Sequence, residues 1–173
     1  RLAMNIFILN NDARESAKDV LDKHAIKMPL ESLQMMSTIA DYLGFDSPYK
    51  SVMLNHPCTI WARESRQNFG WLLNHANALC QEYSLRYNNR THRCQTLINR
   101  NYNIWNKVMS TLPDIGLTPF AIAISQDSKC RELENFEELH AVDKYREYYM
   151  CDKARIATWK TKQPLWFTNK GEK

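Results

Sequence analysis

The chain has 173 residues, 44 % of them hydrophobic and 24 % charged, which is enough for one domain with a sizeable core. Only 4 glycines and 6 prolines occur, too few for a turn-rich β-sandwich or a disordered chain. No apolar run approaches the roughly 20 residues needed to cross a bilayer.

There is also no basic-then-apolar leader. The expectation is an intracellular, cytoplasmic monomer with no membrane contact. A net charge of +4 is compatible with a polyanionic partner without requiring one. The five cysteines show no CxxC or other zinc spacing. Their odd number fits free thiols in a reducing compartment.

In chain order, Arg1-Leu2-Ala3 reads as vector-derived sequence ahead of a native start at Met4. MNIFIL (4–9) is a short apolar, strand-like run. Asp12 and Glu15 form a capping-box start for a helix predicted from about Ala13 to Leu43, kinked where Pro29 removes one backbone donor and stopped by Gly44. Pro57 suits the first turn of a second long helix over about 57–87. A third helix is expected from Thr91 to about Met109. LPDIGLTPFAIAI (112–124) is turn-rich and ends in a possible short strand. A polar loop at 125–134 precedes a last helix over about Asn135 to Ala157, and residues 157–173 form an irregular basic and aromatic tail. The predicted architecture is mainly α: a compact single-domain bundle with two long helices and at most a minor two-strand element.

Each long helix carries a polar stripe. Lys23, Lys27, Glu31 and Gln34 fall within an arc of about 80° on an otherwise apolar first helix. A helix apolar over so much of its surface is expected to be buried, so the stripe either faces solvent in a narrow strip or lines a cleft. His24, beside the stripe, reads as a hydrogen-bonded structural histidine rather than a metal ligand.

On the second helix Trp61, Glu64, Asn68, His75, Glu82 and Arg86 share one sector. Core packing explains Trp61 well but does not explain Asn68 and His75 on the same line. Arg63 points to the other side, toward solvent or phosphate. The two stripes are expected to face each other, so that Glu31 and His75 share one wet crevice.

No HxxxH or HExxH spacing occurs, and no GxGxxG, Walker or GxSxG motif. No metal and no cofactor are therefore expected. In the C-terminal region, Lys153, Trp159, Lys160 and Lys162 interleave with aromatics in a pattern suited to phosphates and exposed bases.

These elements resemble a known family. An apolar run leads into a helix with Asp22-x-His24 and a glutamate nine positions after the aspartate, Glu31. A second long helix begins His56-Pro57 and carries Trp61, and Thr158-Trp159-Lys160 stands near the end. The order is similar to that of the phage-type pyrimidine-dimer DNA glycosylase/AP lyases. The strings LDKH, NHPCTIWARES and GLTPFA resemble viral proteins close to that family, which implies a viral protein acting in the host cell.

The resemblance implies a compact helical domain that extrudes a nucleotide from DNA and attacks sugar C1′ with an N-terminal amine. Glu31 would be the assisting glutamate, with His24 beside it. His56, Trp61, Arg63, Glu64 and Arg86 would join the substrate-binding set.

Two departures matter. The family has arginines near its glutamate, where this chain has Leu30 and Gln34, leaving Lys23 and Lys27 to supply positive charge. Met4-Asn5 is also a poor substrate for methionine removal, so a lysine could replace the α-amine. A lysine pKa near 10.4 must then fall. Lys23 and Lys27, one turn apart, are placed to depress one another. Three rivals remain: a viral enzyme that modifies DNA bases or nucleotides on the same scaffold, a non-catalytic nucleic-acid binder, and a structural viral protein with solvated stripes.

Overall fold

The computed structural model describes residues 4–171. The origin expected for residues 1–3 lies outside them. Among the described residues there are seven α-helices and no strand: α1 (Ala13–Asp19), α2 (Asp22–Tyr42), α3 (Pro57–Ala62), α4 (Arg66–Arg86), α5 (Arg93–Arg100), α6 (Tyr102–Thr111) and α7 (Ala141–Asp152). Short 3₁₀ turns occupy Lys129–Glu132, Phe136–Glu138 and Ala154–Ile156. The mainly α prediction stands. Helices α2 and α4 pack along each other, with α1 laid on α4.

Several helix ends follow local chemistry. The Asp12 carboxylate caps α1 by accepting from the Glu15 N–H. Gly44, at φ 87°, stops the chain just beyond α2. Pro57 opens α3 behind His56, whose Nδ1 accepts from the Cys58 N–H.

Each of the three longer helices predicted ahead of residue 112 is divided in two, and the reasons are tertiary. At Val20-Leu21 the backbone turns extended between α1 and α2. The groups this frees are taken up elsewhere. Arg86 donates to the carbonyls of Val20 and Lys18, and Tyr149 Oη accepts from the Leu21 N–H. The Asp22 N–H reaches the Thr158 carbonyl.

Between α3 and α4, Ser65 is extended and its Oγ accepts from the Asn68 N–H, starting a new helix. Asn101 separates α5 from α6. The predicted final helix is confined to α7, flanked by two of the 3₁₀ turns. Helix α2, in contrast, runs on through Pro29.

The two strand-like runs, 4–9 and 112–124, do not pair as strands. Side chains satisfy much of their backbone instead. Leu9 donates its N–H to Ser16 Oγ, which in turn donates to the Phe7 carbonyl, and Arg146 Nε donates to the Leu9 carbonyl. Thr118 donates to Asn68 Oδ1, and Ala123 to Tyr145 Oη. Asn5 Nδ2 ties the runs together at the Ala123 carbonyl. Ile6, Phe7, Ile8 and Leu9 are all buried, so the first run crosses the core as an extended thread.

Candidate active site

A cleft of about 600 Å³ opens where the first run, α2 and α7 converge. Its walls include Asn5 and Phe7 from the first run, His24, Lys27 and Glu31 from α2, and His56 ahead of α3. Ile122 to Ser125, Tyr148 and Lys153 close the other side. Positions 24, 27 and 31 recur at helical spacing, so one face of α2 supplies three polar side chains.

Glu31 is only 5 % exposed. Its Oε1 accepts the Asn5 backbone N–H at 3.0 Å. Lys27 Nζ lies 3.3 Å from Oε2 as a charge contact rather than an aligned hydrogen bond, and Oε2 has no hydrogen-bond partner. Burial raises the Glu31 pKa above the usual carboxylate value, opposed by the Lys27 cation and the Asn5 N–H. A buried carboxyl whose second oxygen meets only the Lys27 cation, and whose pKa is raised, can both accept and return a proton.

His24 forms a wall of the cleft. Phe7 stacks on its ring with centroids 4.0 Å apart, and Nδ1 lies 2.6 Å from Tyr149 Oη. Tyr149 Oη also accepts the Leu21 N–H, and in the tautomer where its own proton goes to His24 Nδ1 the imidazole presents Nε2–H as a donor. Burial, then the cations of Lys153 and Lys27, push the His24 pKa down to about 3, so the ring is neutral at working pH.

Lys153 enters from the C-terminal end of α7, its Nζ 5.0 Å from the Tyr148 ring centroid. Burial lowers its pKa, and Lys27 and Arg155 add to the shift against the opposing Asp152 carboxylate. The cleft thus holds two lysines, one of them depressed. Lys23 is exposed and is not among the lining residues, and Gln34 is half-buried outside the cleft. Lys27 and Lys153 both line the cleft, and the Lys27 cation adds to the lowering at Lys153.

The α4 stripe lies elsewhere and is tied up in packing. His75 is buried, stacks on Trp71 and meets the Ala13 carbonyl through Nδ1 at 3.0 Å. Burial pushes its pKa down to about 4. The shared crevice expected for Glu31 and His75 is not formed, because His75 points into the α1–α4 contact. Asn68 uses both ends of its amide: Nδ2 donates to the Trp61 carbonyl and Thr118 Oγ1, and Oδ1 accepts the Thr118 N–H. Trp61 Nε1 donates to the Thr118 carbonyl, and Glu64 Oε1 accepts from Thr118 Oγ1. Arg63 donates to the Leu54 carbonyl and covers the Tyr42 ring.

Arg86 is buried between Glu82 and Asp22, with Nη1 3.2 Å from Asp22 Oδ1. The same carboxylate receives the Lys160 N–H and Thr158 Oγ1, which clamps the tail onto the α1–α2 break. Trp159 Nε1 donates to the Asp19 carbonyl, and Lys160 Nζ lies over the Tyr87 ring. Lys162 is exposed beside Trp166, in a different groove.

Asn5, Phe7 and Ile122 to Ser125 were not singled out by sequence pattern. Asn5 and Phe7 lie in the strand-like run 4–9 and Ile122 to Ile124 in the possible short strand, while Ser125 falls in the expected polar loop. Among the described residues, no three His, Cys, Asp or Glu are grouped to hold a metal ion, and no helix is long and apolar enough to cross a membrane.

A family model described as pyrimidine dimer DNA glycosylase matches residues 4–96, more than half of the chain. The matched part carries Asn5, His24, Lys27, Glu31 and His56, while Tyr148 and Lys153 come from beyond it. No curated protein and no solved structure matches the chain.

Proposed function

Because the chain belongs to the pyrimidine dimer DNA glycosylase family, we propose that it releases a damaged pyrimidine from DNA by amine attack at sugar C1′ in the Glu31 cleft. The observation that carries this reading is the contact of the Asn5 backbone nitrogen with Glu31 Oε1 at 3.0 Å inside that cleft. If the chain is processed ahead of Asn5, that nitrogen is an α-amine, with an ordinary pKa of about 7.7–8.0 and hence a large unprotonated fraction. The side-chain alternative is Lys153, whose pKa is lowered.

The amine lone pair forms a bond to C1′ as the bond from C1′ to the base breaks. The base leaves with the electron pair and takes up a proton. The amine then loses one proton to Glu31, and the protonated carboxyl delivers it to O4′ as the C1′–O4′ bond breaks and the ring opens to a protonated imine. In the lyase step the Glu31 carboxylate, free again, takes the C2′ proton of the protonated imine, and the electrons released expel the 3′ phosphate as the C3′–O bond breaks. Water then frees the amine from C1′. Lys27 holds charge beside the carboxylate, and neutral His24 offers Nε2–H to a sugar or phosphate oxygen. A flipped-out nucleotide gives a small protein access to C1′, and damaged bases cost least to extrude.

The test is incision of UV-irradiated duplex DNA. The wild-type chain is expected to nick irradiated and abasic duplex but not undamaged duplex. Glu31→Gln should be slower by about 10²–10⁴-fold, the usual range for a lost acid–base group. Equal incision by both proteins would remove Glu31 from the chemistry.

A further inference from the structure

Lys27 lines a second cleft as well, about 500 Å³ in volume, between α2 and α5, with Tyr49, Tyr83 and Arg93 among its walls. Helix α5 is fixed there by His92, whose Nε2 meets the Ile26 carbonyl at 2.8 Å. The charge of this part of the chain is one-sided. From Tyr83 to Pro113 there is no aspartate or glutamate, while Arg86, Arg90, Arg93, Arg100 and Lys107 all fall within it. Net charge is +4, so without those five cations the chain would stand at −1.

Arg86 is buried in its ion pairs, but the other four are exposed. None of the four pairs with a carboxylate among the described residues. An ordinary solvated face mixes signs, yet all 19 acidic residues of the chain lie outside this stretch.

The geometry continues the Glu31 cleft outward. Arg93 and Arg100 are seven positions apart and share one face of α5, opposite the buried Cys94 and Ile98. Along the helix they are separated by about 10 Å, roughly the rise of three base pairs at 3.4 Å per nucleotide of one strand. Lys160 joins the same side through Tyr87, which touches Tyr83, which in turn touches His92.

We propose that the face running from Lys27 across Arg93 to Arg100 is a phosphate track for duplex DNA leading out of the Glu31 cleft. It rests on the reading of this chain as DNA-acting. Guanidinium forks bind phosphate oxygens in pairs. A track of this kind would hold the flanking duplex while one nucleotide occupies the cleft, and it positions without reading sequence.

The test is equilibrium binding of undamaged duplex over a range of salt concentrations. Each duplex phosphate contact contributes about 0.9 to the slope of log K against log salt. Arg93→Gln/Arg100→Gln should therefore lower the slope by about two such contributions, and Arg93→Lys/Arg100→Lys should keep most of it. Lys144→Gln, on α7, should leave it unchanged. An unchanged slope in the double glutamine variant, or an equal fall in Lys144→Gln, would overturn the track. So would a loss confined to single-stranded DNA. The readout does not involve base release: absent incision of damaged DNA with the predicted slopes defeats only the glycosylase reading, and normal incision with an unaltered slope defeats only the track.

Discussion

Helices α2 and α4 carry polar stripes that look alike on a helical wheel, and they do opposite things. On α4, Asn68, His75, Glu82 and Arg86 are consumed by partners: an amide with both ends bonded, an imidazole on a backbone carbonyl, a guanidinium between two carboxylates. On α2, Glu31 has one oxygen bonded to the Asn5 N–H and the other facing only the Lys27 ammonium, at the wall of a cleft that Lys153 also lines. Residue type and spacing do not separate the two cases. What separates them is whether lone pairs and protons remain uncommitted once the chain has folded.

That contrast can be broken by substitution. The largest expected effect is on Glu31. Its raised pKa means that folding favours the neutral carboxyl, so stability from this group is present at low pH and is lost as pH rises through the folded pKa. At neutral pH, Glu31→Gln should thus abolish most activity while leaving the melting temperature unchanged or higher, as a thermal melt beside an incision assay will read.

Arg86→Ala should do the reverse. It strands Asp22 and Glu82 as buried charges and should cost about 3–5 kcal/mol in denaturant titration, with activity following the folded fraction. Asn68→Ala should cost about 1–3 kcal/mol, because the Thr118 N–H and the Trp61 carbonyl both lose their partner. A result in which Asn68→Ala melts normally but no longer incises DNA would move the α4 stripe back into the site.

The smallest effect is a matter of pH. His75 is buried neutral, with its pKa pushed from 6.5 down to about 4. Its contribution is fully present above the unfolded value and is lost as pH falls from about 6.5 toward about 4. His24 behaves alike, down to about 3. Melting temperature should fall across that window. His75→Asn, which keeps an N–H for the Ala13 carbonyl, should flatten the part of the fall that His75 causes.

The sequence carried much of the fold where the determinants are local. The Asp12 cap, the Gly44 stop and the His56-Pro57 start all lie beside the ends they set. The α1–α2 break was not legible. Its freed carbonyls are taken by Arg86, more than sixty residues away, and the adjoining Asp22 N–H by Thr158. The extended runs were legible as extended but not as unpaired, since Ser16, Asn68 and Tyr145 replace the missing sheet partners.

The site divides the same way. Glu31, Lys27 and His24 share one helix, so their spacing was readable. Asn5 and Lys153 reach the cleft from elements far apart in the chain, and only the packed structure brings them to Glu31. Lys23 had the right spacing but points outward.

The central claim is that an amine in the Glu31 cleft becomes covalently bound to a DNA sugar. Borohydride reduction during reaction with abasic duplex DNA, followed by peptide mapping, tests it directly. The expected result is a single adduct either on the α-amine of the segment entering at Asn5 or on Lys153. No adduct, or one on a lysine outside the cleft such as Lys23, would contradict it.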